Sequence, residues 1–402
     1  MKGAEERELV LGRLLGISAL ALSGRLESDA DSAEGALKAV IELYGRRKWL
    51  GQAAGEACLL VASKAFQGQE DFAGVALPLL TPLLKGKDGS TLQVSDLSPD
   101  QLMLALGLRS MLRERGLDPQ EDASLKQTLP PFLRHATVIR SGKAQNLIPV
   151  LKQSASVFPK VHSVWARLWD DIGLAQAGKP RTSLSAKRLK RLGEVWSTAV
   201  DGALTSSSLN NKGTSVLLLK QVLQRVPAAG VWHVLSPGIV RLMLNHAQGE
   251  ENYLFSLVKM TLQQLPSVVQ DDQEARAGQL AACLLRRGTI RFDTRAGVKV
   301  VSSLVGGMGQ ASGYKHVEFL KGVVQGKPGW SESQDAPPNG TTSTAEEPPV
   351  ETSEHAEDLT AERLQAVEAL HSLGRGGNGG HAQGVQLAKT AEFFLETGFF
   401  EP

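Results

Sequence analysis

Three glycines near residue 376 are spaced as in a dinucleotide-binding loop. They are Gly374, Gly376 and Gly379 of the stretch GRGGNG. In that loop a strand leads into the glycines, a helix N-terminus holds the pyrophosphate, and an acidic residue follows about 20 positions later. Here a helical pattern precedes the glycines. We therefore interpret 374–379 as a connecting loop and predict no nucleotide cofactor.

Two pairs of adjacent acids are the candidates for metal-assisted chemistry. They are Asp170 with Asp171 and Asp271 with Asp272. A two-metal transfer site needs carboxylates that converge on ions about 4 Å apart. Neighbouring positions on a helix diverge by roughly 100°, so adjacent acids on one helix do not converge in this way. We interpret both pairs as solvated surface acids.

No recognisable motif for a catalytic or metal centre accompanies these acids. The sequence contains no HExxH, CxxC or GxSxG pattern, so it shows neither a familiar zinc-ligand spacing nor a nucleophile elbow. We predict no catalytic residue, no metal site, no cofactor and no small-molecule substrate.

Basic residues give the stronger signal. In AKRLKRLGEVW, residues 186–196, the apolar Leu189, Leu192 and Trp196 share one helical face, and the cations spread over the rest of the helix. A second basic cluster covers 286–295. Such clusters are either solvated helix faces and helix C-termini, which favour cations, or surfaces that contact phosphates. The candidate nucleic-acid-binding residues are Lys187, Arg188, Lys190, Arg191, Arg286, Arg287, Arg291 and Arg295.

The elements that must position these residues are helices. Apolar residues recur at helical spacing through most of the chain, and the breaks fall at Pro or Gly. Trp165 and Trp169 share one such face with Leu168 and Ile172, which predicts a buried core helix. The rhythm of paired helices predicts an all-α protein, an α-solenoid of the armadillo or HEAT kind.

The apolar stretch LGRLLGISALALSGRL at 11–26 has three possible interpretations: a signal peptide, a membrane span or a core helix. The preceding residues are net acidic, and Arg13 interrupts the run. Both features oppose the first two interpretations. The helical wheel places Leu14, Leu15 and Leu22 on one face, which we expect to be buried. Gly12 and its small neighbours on the other face leave room for a further helix.

The chain divides into three segments by composition. Residues 331–358 contain prolines, eight acidic residues and no Lys or Arg. They offer little to bury, so we predict a disordered acidic linker. We assign 1–330 to the α-solenoid and 359–402 to further helices of the same array, and we expect the array to be truncated at both ends.

The overall composition is that of a soluble globular protein. The apolar share is 42% and the charged share is 21%. Outside the acidic linker the formal net charge is +10, a moderate excess that is compatible with a polyanionic partner. The two cysteines, Cys58 and Cys283, lie in apolar runs, which predicts free thiols and an intracellular, reducing compartment.

The order of several segments resembles the Myb-binding protein family, also called the DNA polymerase phi or polymerase V family. These segments are ERELVLGRLLGISALALSGRL at 6–26, HSVWARLWDDI at 162–172, VWSTAVDGALTSSSLNNK at 195–212, VLSPGIVRLMLNHAQGEENYL at 234–254, IRFD at 290–293 and EFFLETGFFE at 392–401.

The resemblance implies a non-enzymatic, armadillo-like scaffold of the nucleus and nucleolus. It implies a role in ribosomal RNA gene transcription, ribosome biogenesis and transcriptional co-regulation. The expected partners are ribosomal DNA or pre-ribosomal RNA, and pre-ribosomal or transcription-factor proteins. Two alternatives stay open: a generic α-solenoid adaptor for transport or trafficking proteins, and a nucleotidyl transferase that uses Asp170 and Asp171.

Overall fold

The architecture is all-α in the part of the chain that the computed structural model describes. That part comprises residues 2–27, 29–44, 48–86, 88–135, 138, 142–174, 184–268, 273–306, 308, 310–324 and 366–367. Within these residues there is no β-strand, and one isolated antiparallel bridge joins Lys85 to Thr91. The all-α prediction is confirmed. The loop 374–379, the acids Asp271 and Asp272, the linker 331–358 and nearly all of 359–402 lie outside the described residues.

The chain forms two compact units. The N-terminal unit comprises Met1–Lys179 and Ser185–Thr214, and the C-terminal unit comprises Pro180–Leu184 and Ser215–Pro402. The first ten helices belong to the N-terminal unit: α1 Lys2–Leu22, α2 Ala30–Tyr44, α3 Gly51–Ala65, α4 Gln69–Asp71, α5 Leu77–Leu80, α6 Pro99–Glu114, α7 Ala123–Thr128, α8 Ile148–Ser154, α9 Val164–Ile172 and α10 Ala186–Val195.

Helix α11, Leu209–Leu223, carries the boundary between the two units. The C-terminal unit continues with α12 Ala228–Val234, α13 Pro237–His246, α14 Phe255–Val268, α15 Gln273–Arg287, α16 Phe292–Ala296, α17 Val300–Gly306 and α18 Gln310–Val324. Two π-helical segments, Phe72–Ala76 and Trp196–Leu204, extend α4 and α10.

Four helices of the N-terminal unit pack side by side. Helix α3 contacts α1 and α6, and α6 contacts α9. The contact between α3 and α6 is close because Gly107 has no side chain. A Cβ atom at this position would lie 2.4 Å from Cδ1 of Leu59, well inside van der Waals contact. Small residues thus set the spacing within this row.

A tryptophan cluster holds α9 against the start of the second π-helical segment. Trp165, Trp169 and Trp196 are all fully buried. Their ring centroids lie 5.6 Å apart for the first pair and 6.1 Å apart for Trp169 and Trp196. The indole Nε1 of Trp165 donates a hydrogen bond to Oγ of Ser154 at 2.9 Å. The predicted core helix around Trp165 and Trp169 is confirmed, and aromatic burial of this kind dominates core energetics.

Helix α1 buries a narrower face than its sequence predicts. Leu14 and Ala21 are buried, but Leu15 is 70% exposed and Leu22 is 63% exposed. A Cβ atom added at Gly12 would meet nothing within 4 Å. The prediction that Leu15 and Leu22 are buried was therefore wrong, because α1 packs mainly on α3, and that contact covers one side only. Among the described residues, no helix is both long and apolar enough to cross a bilayer.

Asp171 corrects the interpretation of the first acid pair. Its side chain is 7% exposed, whereas that of Asp170 is half-buried. Position 171 lies one turn after Leu168, on the part of α9 that packs against α6. Arg109 of α6 is also buried; its burial lowers the pKa of the guanidinium, and the carboxylates of Asp118 and Asp171 partly oppose this shift. Asp171 is thus an interior acid near a buried cation and not a solvated one.

Helix α15 is the central helix of the C-terminal unit. It contacts α12, α13, α17 and α18. Arg276 of α15 is 0% exposed. Its Nη1 donates to the carbonyl of Val268 at 3.3 Å, and its Nη2 donates to the carbonyl of Leu223 at the end of α11. A buried guanidinium is tolerated when carbonyl acceptors replace its water.

Both cysteines are free and buried, as predicted. Burial raises the pKa of the thiol of Cys58 to about 12, and it does the same for Cys283. Because the thiolate is the reactive form, both side chains behave as small apolar groups at neutral pH.

Candidate nucleic-acid interface

The first basic cluster lies on α10, which is anchored by its apolar side. Leu192 and Trp196 are buried, and Leu189 is partly buried. Lys187 and Lys190 are exposed on the opposite side of the helix. Arg191, which the helical repeat places on that same side, is half-buried. The structure thus keeps these three cations together on one side of an anchored helix.

Arg188 is also exposed, and it lies next to the end of the preceding helix. Its Cζ atom lies 3.0 Å from the position that a Cβ atom would occupy on Gly173. Gly173 ends α9 in the left-handed conformation, with φ 90°. Carbonyl groups at a helix C-terminus carry partial negative charge, which attracts a guanidinium. Arg188 therefore lies beside the end of α9, and its side chain stays exposed.

One carboxylate shares the exposed side of α10. Glu194 follows Lys190 by four residues and Arg191 by three, and its Oε2 accepts a hydrogen bond from the backbone N–H of Gly142 at 3.2 Å. This contact directs the acid toward the loop that contains Gly142. The outer face of α10 keeps an excess of positive charge.

The second basic cluster divides into two pairs with different environments. Arg287, in the last turn of α15, donates through Nη1 to the carbonyl of Trp232 at 2.9 Å and to that of Leu235 at 2.8 Å. Its Cζ lies 4.1 Å from the ring centroid of Trp232. Arg287 therefore satisfies carbonyls at the end of α12 and stacks on an aromatic ring.

Arg286 also makes contacts within the C-terminal unit. Its Cζ lies 5.6 Å from the ring centroid of Trp232 and 5.3 Å from that of Phe319 on α18. Arg286 and Arg287 are each half-buried. A phosphate ligand would have to compete with these internal contacts, so this pair primarily joins α15 to α12 and α18.

Arg291 and Arg295 are exposed on either side of Asp293. The carboxylate of Asp293 is engaged elsewhere: Oδ1 accepts from the N–H of Val301 at 2.8 Å, and Oδ2 accepts from the N–H and hydroxyl of Ser302 at 2.9 and 2.7 Å. Asp293 thus caps the start of α17. Among the described residues, no ion pair involves Arg291 or Arg295.

A further exposed cation, Arg241 on α13, was missed at the level of sequence. Helix α13 contacts α16. A Cβ atom on Gly288 would lie 3.1 Å from Cγ1 of Val240, and Nε2 of Gln248 donates to the carbonyl of Arg295 at 3.5 Å. These contacts place α13 beside the segment that carries Arg291 and Arg295. The available signal was the pair Arg241 and Asn245, one turn apart on a largely apolar helix.

The described residues contain no group of three or more His, Cys, Asp or Glu side chains that could hold a metal ion. The arrangement that the geometry does offer is cationic and exposed. It consists of two separate surfaces: one side of α10 in the N-terminal unit, and the adjoining α13 and α16 in the C-terminal unit.

Comparison with known proteins identifies the family. The model of the DNA polymerase phi family matches residues 1–402. A relative from Schizosaccharomyces pombe, named rDNA transcriptional regulator pol5, is 22% identical over 319 residues. That match covers 76% of this chain, and the chain spans 31% of the relative's length. No solved structure matches the chain. Because the family model matches from end to end, the chain belongs to the DNA polymerase phi family.

Proposed function

We propose that the chain is part of a non-enzymatic helical-repeat scaffold of the nucleolus that acts in ribosomal RNA gene transcription and ribosome biogenesis. Family membership and the name of the fission-yeast relative, an rDNA transcriptional regulator, support this proposal. Transcriptional co-regulation in the nucleus belongs to the same proposal. The expected partners are ribosomal DNA or pre-ribosomal RNA, together with pre-ribosomal or transcription-factor proteins.

The packing order of the helices supports the repeat architecture. In the N-terminal unit α1, α3, α6 and α9 contact one another in sequence, and in the C-terminal unit α15 contacts α12 and α18. Contacts between successive helices, with few between distant ones, are typical of α-solenoids. We propose that 1–330 forms one armadillo or HEAT-like array, that 331–358 is a linker and that 359–402 adds further helices.

The observation that carries the nucleic-acid role is the exposure of cations without carboxylate partners on an all-α surface. Lys187 and Lys190 on α10, and Arg291 and Arg295 beside α16, are exposed. Phosphate contacts from Lys and Arg supply most of the sequence-independent affinity for nucleic acid. Electrostatic attraction to phosphates would hold such a scaffold on ribosomal genes or transcripts. Its protein partners would determine which nucleic acid is selected.

The test is chromatin immunoprecipitation of the tagged chain, combined with sequencing of the RNA that co-purifies. We expect enrichment over ribosomal RNA genes relative to unrelated transcribed loci, and recovery of pre-ribosomal RNA. Equal signal at both classes of locus, without ribosomal precursors, would overturn the proposal. Recovery of transport or trafficking proteins under the same conditions would instead favour the adaptor alternative.

A further inference from the structure

We propose that Arg241, Arg291 and Arg295 form one surface, the α13–α16 surface, which binds the phosphodiester backbone of nucleic acid. The inference rests on the proposed function, which already expects nucleic acid as a partner. It adds the place of contact within the C-terminal unit and a residue, Arg241, that lies outside both basic clusters of the sequence.

The packing of α13 brings the three arginines to neighbouring positions. Val240 lies against Gly288, whose Cβ position is in turn 3.0 Å from the ring of Phe292. Arg241 follows the first of these residues, and Arg291 precedes the last. Val240, Gly288 and Phe292 thus join α13 to the start of α16, and the exposed Arg241 and Arg291 are chain neighbours of the two ends of this contact.

The helical part of the C-terminal unit carries an excess of positive charge. Residues 215–268, 273–306 and 310–324 contain 12 Lys and Arg against five Asp and Glu. The acids of this unit concentrate elsewhere in the sequence, with eight of them in 331–358. A local excess of this kind favours a positive potential around exposed arginines.

The acids near the α13–α16 surface do not neutralise it. Asp293 is held by three donors at the start of α17. Glu250 and Glu251 are exposed just after α13, and in the described part of the chain no ion pair joins either of them to Arg291 or Arg295. Within the described residues, no ion pair joins a carboxylate to Arg241.

The chemistry of the surface fits a phosphate backbone better than a protein partner. Stable protein interfaces have an apolar core, yet none of the large exposed apolar side chains among the described residues lies on α13 or α16. Asn245 and Thr294 are exposed near the arginines and add hydrogen-bond donors. Arginines interspersed with amide and hydroxyl groups are typical of contacts to phosphate and sugar.

The experiment measures binding of the full chain to a short DNA duplex and to a single-stranded RNA by fluorescence anisotropy, across a salt series. The test variant is Arg241→Gln/Arg291→Gln/Arg295→Gln. The matched control is Arg13→Gln/Arg25→Gln/Lys64→Gln, which removes the same charge from exposed positions of the N-terminal unit. A third variant, Lys187→Gln/Lys190→Gln/Arg191→Gln, probes α10 in the same way.

We expect the test variant to make the slope of log affinity against log salt shallower by roughly 2 to 3, since each lost phosphate contact removes about 0.7 to 0.9. The control should leave the slope unchanged. The DNA and RNA arms show which backbone is bound. If the triple variant unfolds, the single variant Arg295→Gln, with an expected change of about 0.7 to 0.9, replaces it.

Three outcomes would overturn the assignment, and they are distinguishable. Unchanged binding by the test variant, with a loss in the α10 variant, would reject the α13–α16 surface and leave the proposed function intact. Equal losses in the test variant and the control would show a general charge effect. Absence of binding to either nucleic acid by the unaltered chain would reject the nucleic-acid part of the proposed function as well.

Discussion

Two arginine pairs that are close in sequence, one at the end of α15 and one at α16, differ in what surrounds them. Arg286 and Arg287 lie against Trp232 and Phe319 and are half-buried, whereas Arg291 and Arg295 are exposed. The residue type is the same in both pairs. The first pair is half-buried because it stacks on aromatic rings and donates hydrogen bonds to carbonyls at the end of α12. Arginines that are close in sequence therefore need not share a function.

Helix α10 shows a weaker form of this difference. Arg188 is exposed like Lys187 and Lys190, but its guanidinium lies beside the C-terminal end of α9. The first of the following predictions tests the anchor of α10, the second tests a buried histidine of the C-terminal unit, and the third compares the two arginine pairs.

The largest effect is expected at Trp196. Trp196→Ala would remove a fully buried indole that lies 6.1 Å from the ring of Trp169. Replacing a buried Trp by Ala costs about 3 to 5 kcal/mol of unfolding free energy. Chemical denaturation monitored by circular dichroism measures this cost. Lys190→Ala on the exposed side of the same helix is the control and should change stability by less than about 0.5 kcal/mol. Similar values for both variants would contradict the proposed anchoring.

The second prediction concerns acidification of the C-terminal unit. Burial lowers the pKa of His316 from 6.5 to about 4. Between these values the unfolded chain binds a proton and the folded chain does not, so stability is full above pH 6.5 and falls as the pH drops toward 4. The loss is about 3 kcal/mol for a shift of this size. His233, whose pKa is lowered by burial and by Arg287, acts in the same direction.

The measurement is the free energy of unfolding at a series of pH values between 4 and 7. His316→Gln carries no titratable group at this position, so its stability should depend less steeply on pH across the same range. The comparison of slopes matters more than the absolute stability, because the substitution itself changes packing beside Phe319. Parallel curves for the variant and the unaltered chain would mean that His316 is accessible to protons in the folded state.

The smallest expected effect separates the two arginine pairs directly. Arg287→Ala would leave the carbonyls of Trp232 and Leu235 without their donor. Hydrogen bonds from a charged donor contribute about 1.5 to 3 kcal/mol, so we expect a loss near 2 kcal/mol. Arg295→Ala, at an exposed position, should cost less than about 0.5 kcal/mol. Thermal unfolding resolves this difference, and a larger loss at Arg295 would reverse the roles that the structure gives to the pairs.

The sequence predicted which segments form helices better than it predicted how much of each helix is covered by its neighbours. The apolar periodicity predicted the core helix with Trp165 and Trp169, because apolar residues at helical spacing indicate the face that is buried. It failed for Leu15, which is apolar but exposed, and for Asp171, which is charged but buried. Both errors have the same cause. A helical wheel shows which face differs from the rest, but only the neighbouring helix determines how much of that face it covers.

The candidate nucleic-acid interface was also predicted only in part. The sequence identified the outer side of α10 because Leu189, Leu192 and Trp196 define the opposite face. It did not separate Arg287 from Arg291, since the carbonyls that accept from Arg287 belong to residues more than 50 positions earlier. Arg241 was not identified for the same reason: the contact between α13 and α16 comes from packing and not from the local sequence.

Arg276 couples α15 to two other helix ends of the C-terminal unit. Its guanidinium is completely buried and donates to the carbonyls of Leu223 and Val268, at the ends of α11 and α14. A buried charge that loses its acceptors costs several kcal/mol, because no water replaces them. Fraying of the last turn of α11 or α14 would therefore also weaken the position of α15, so the stability of these three helices is cooperative at this point.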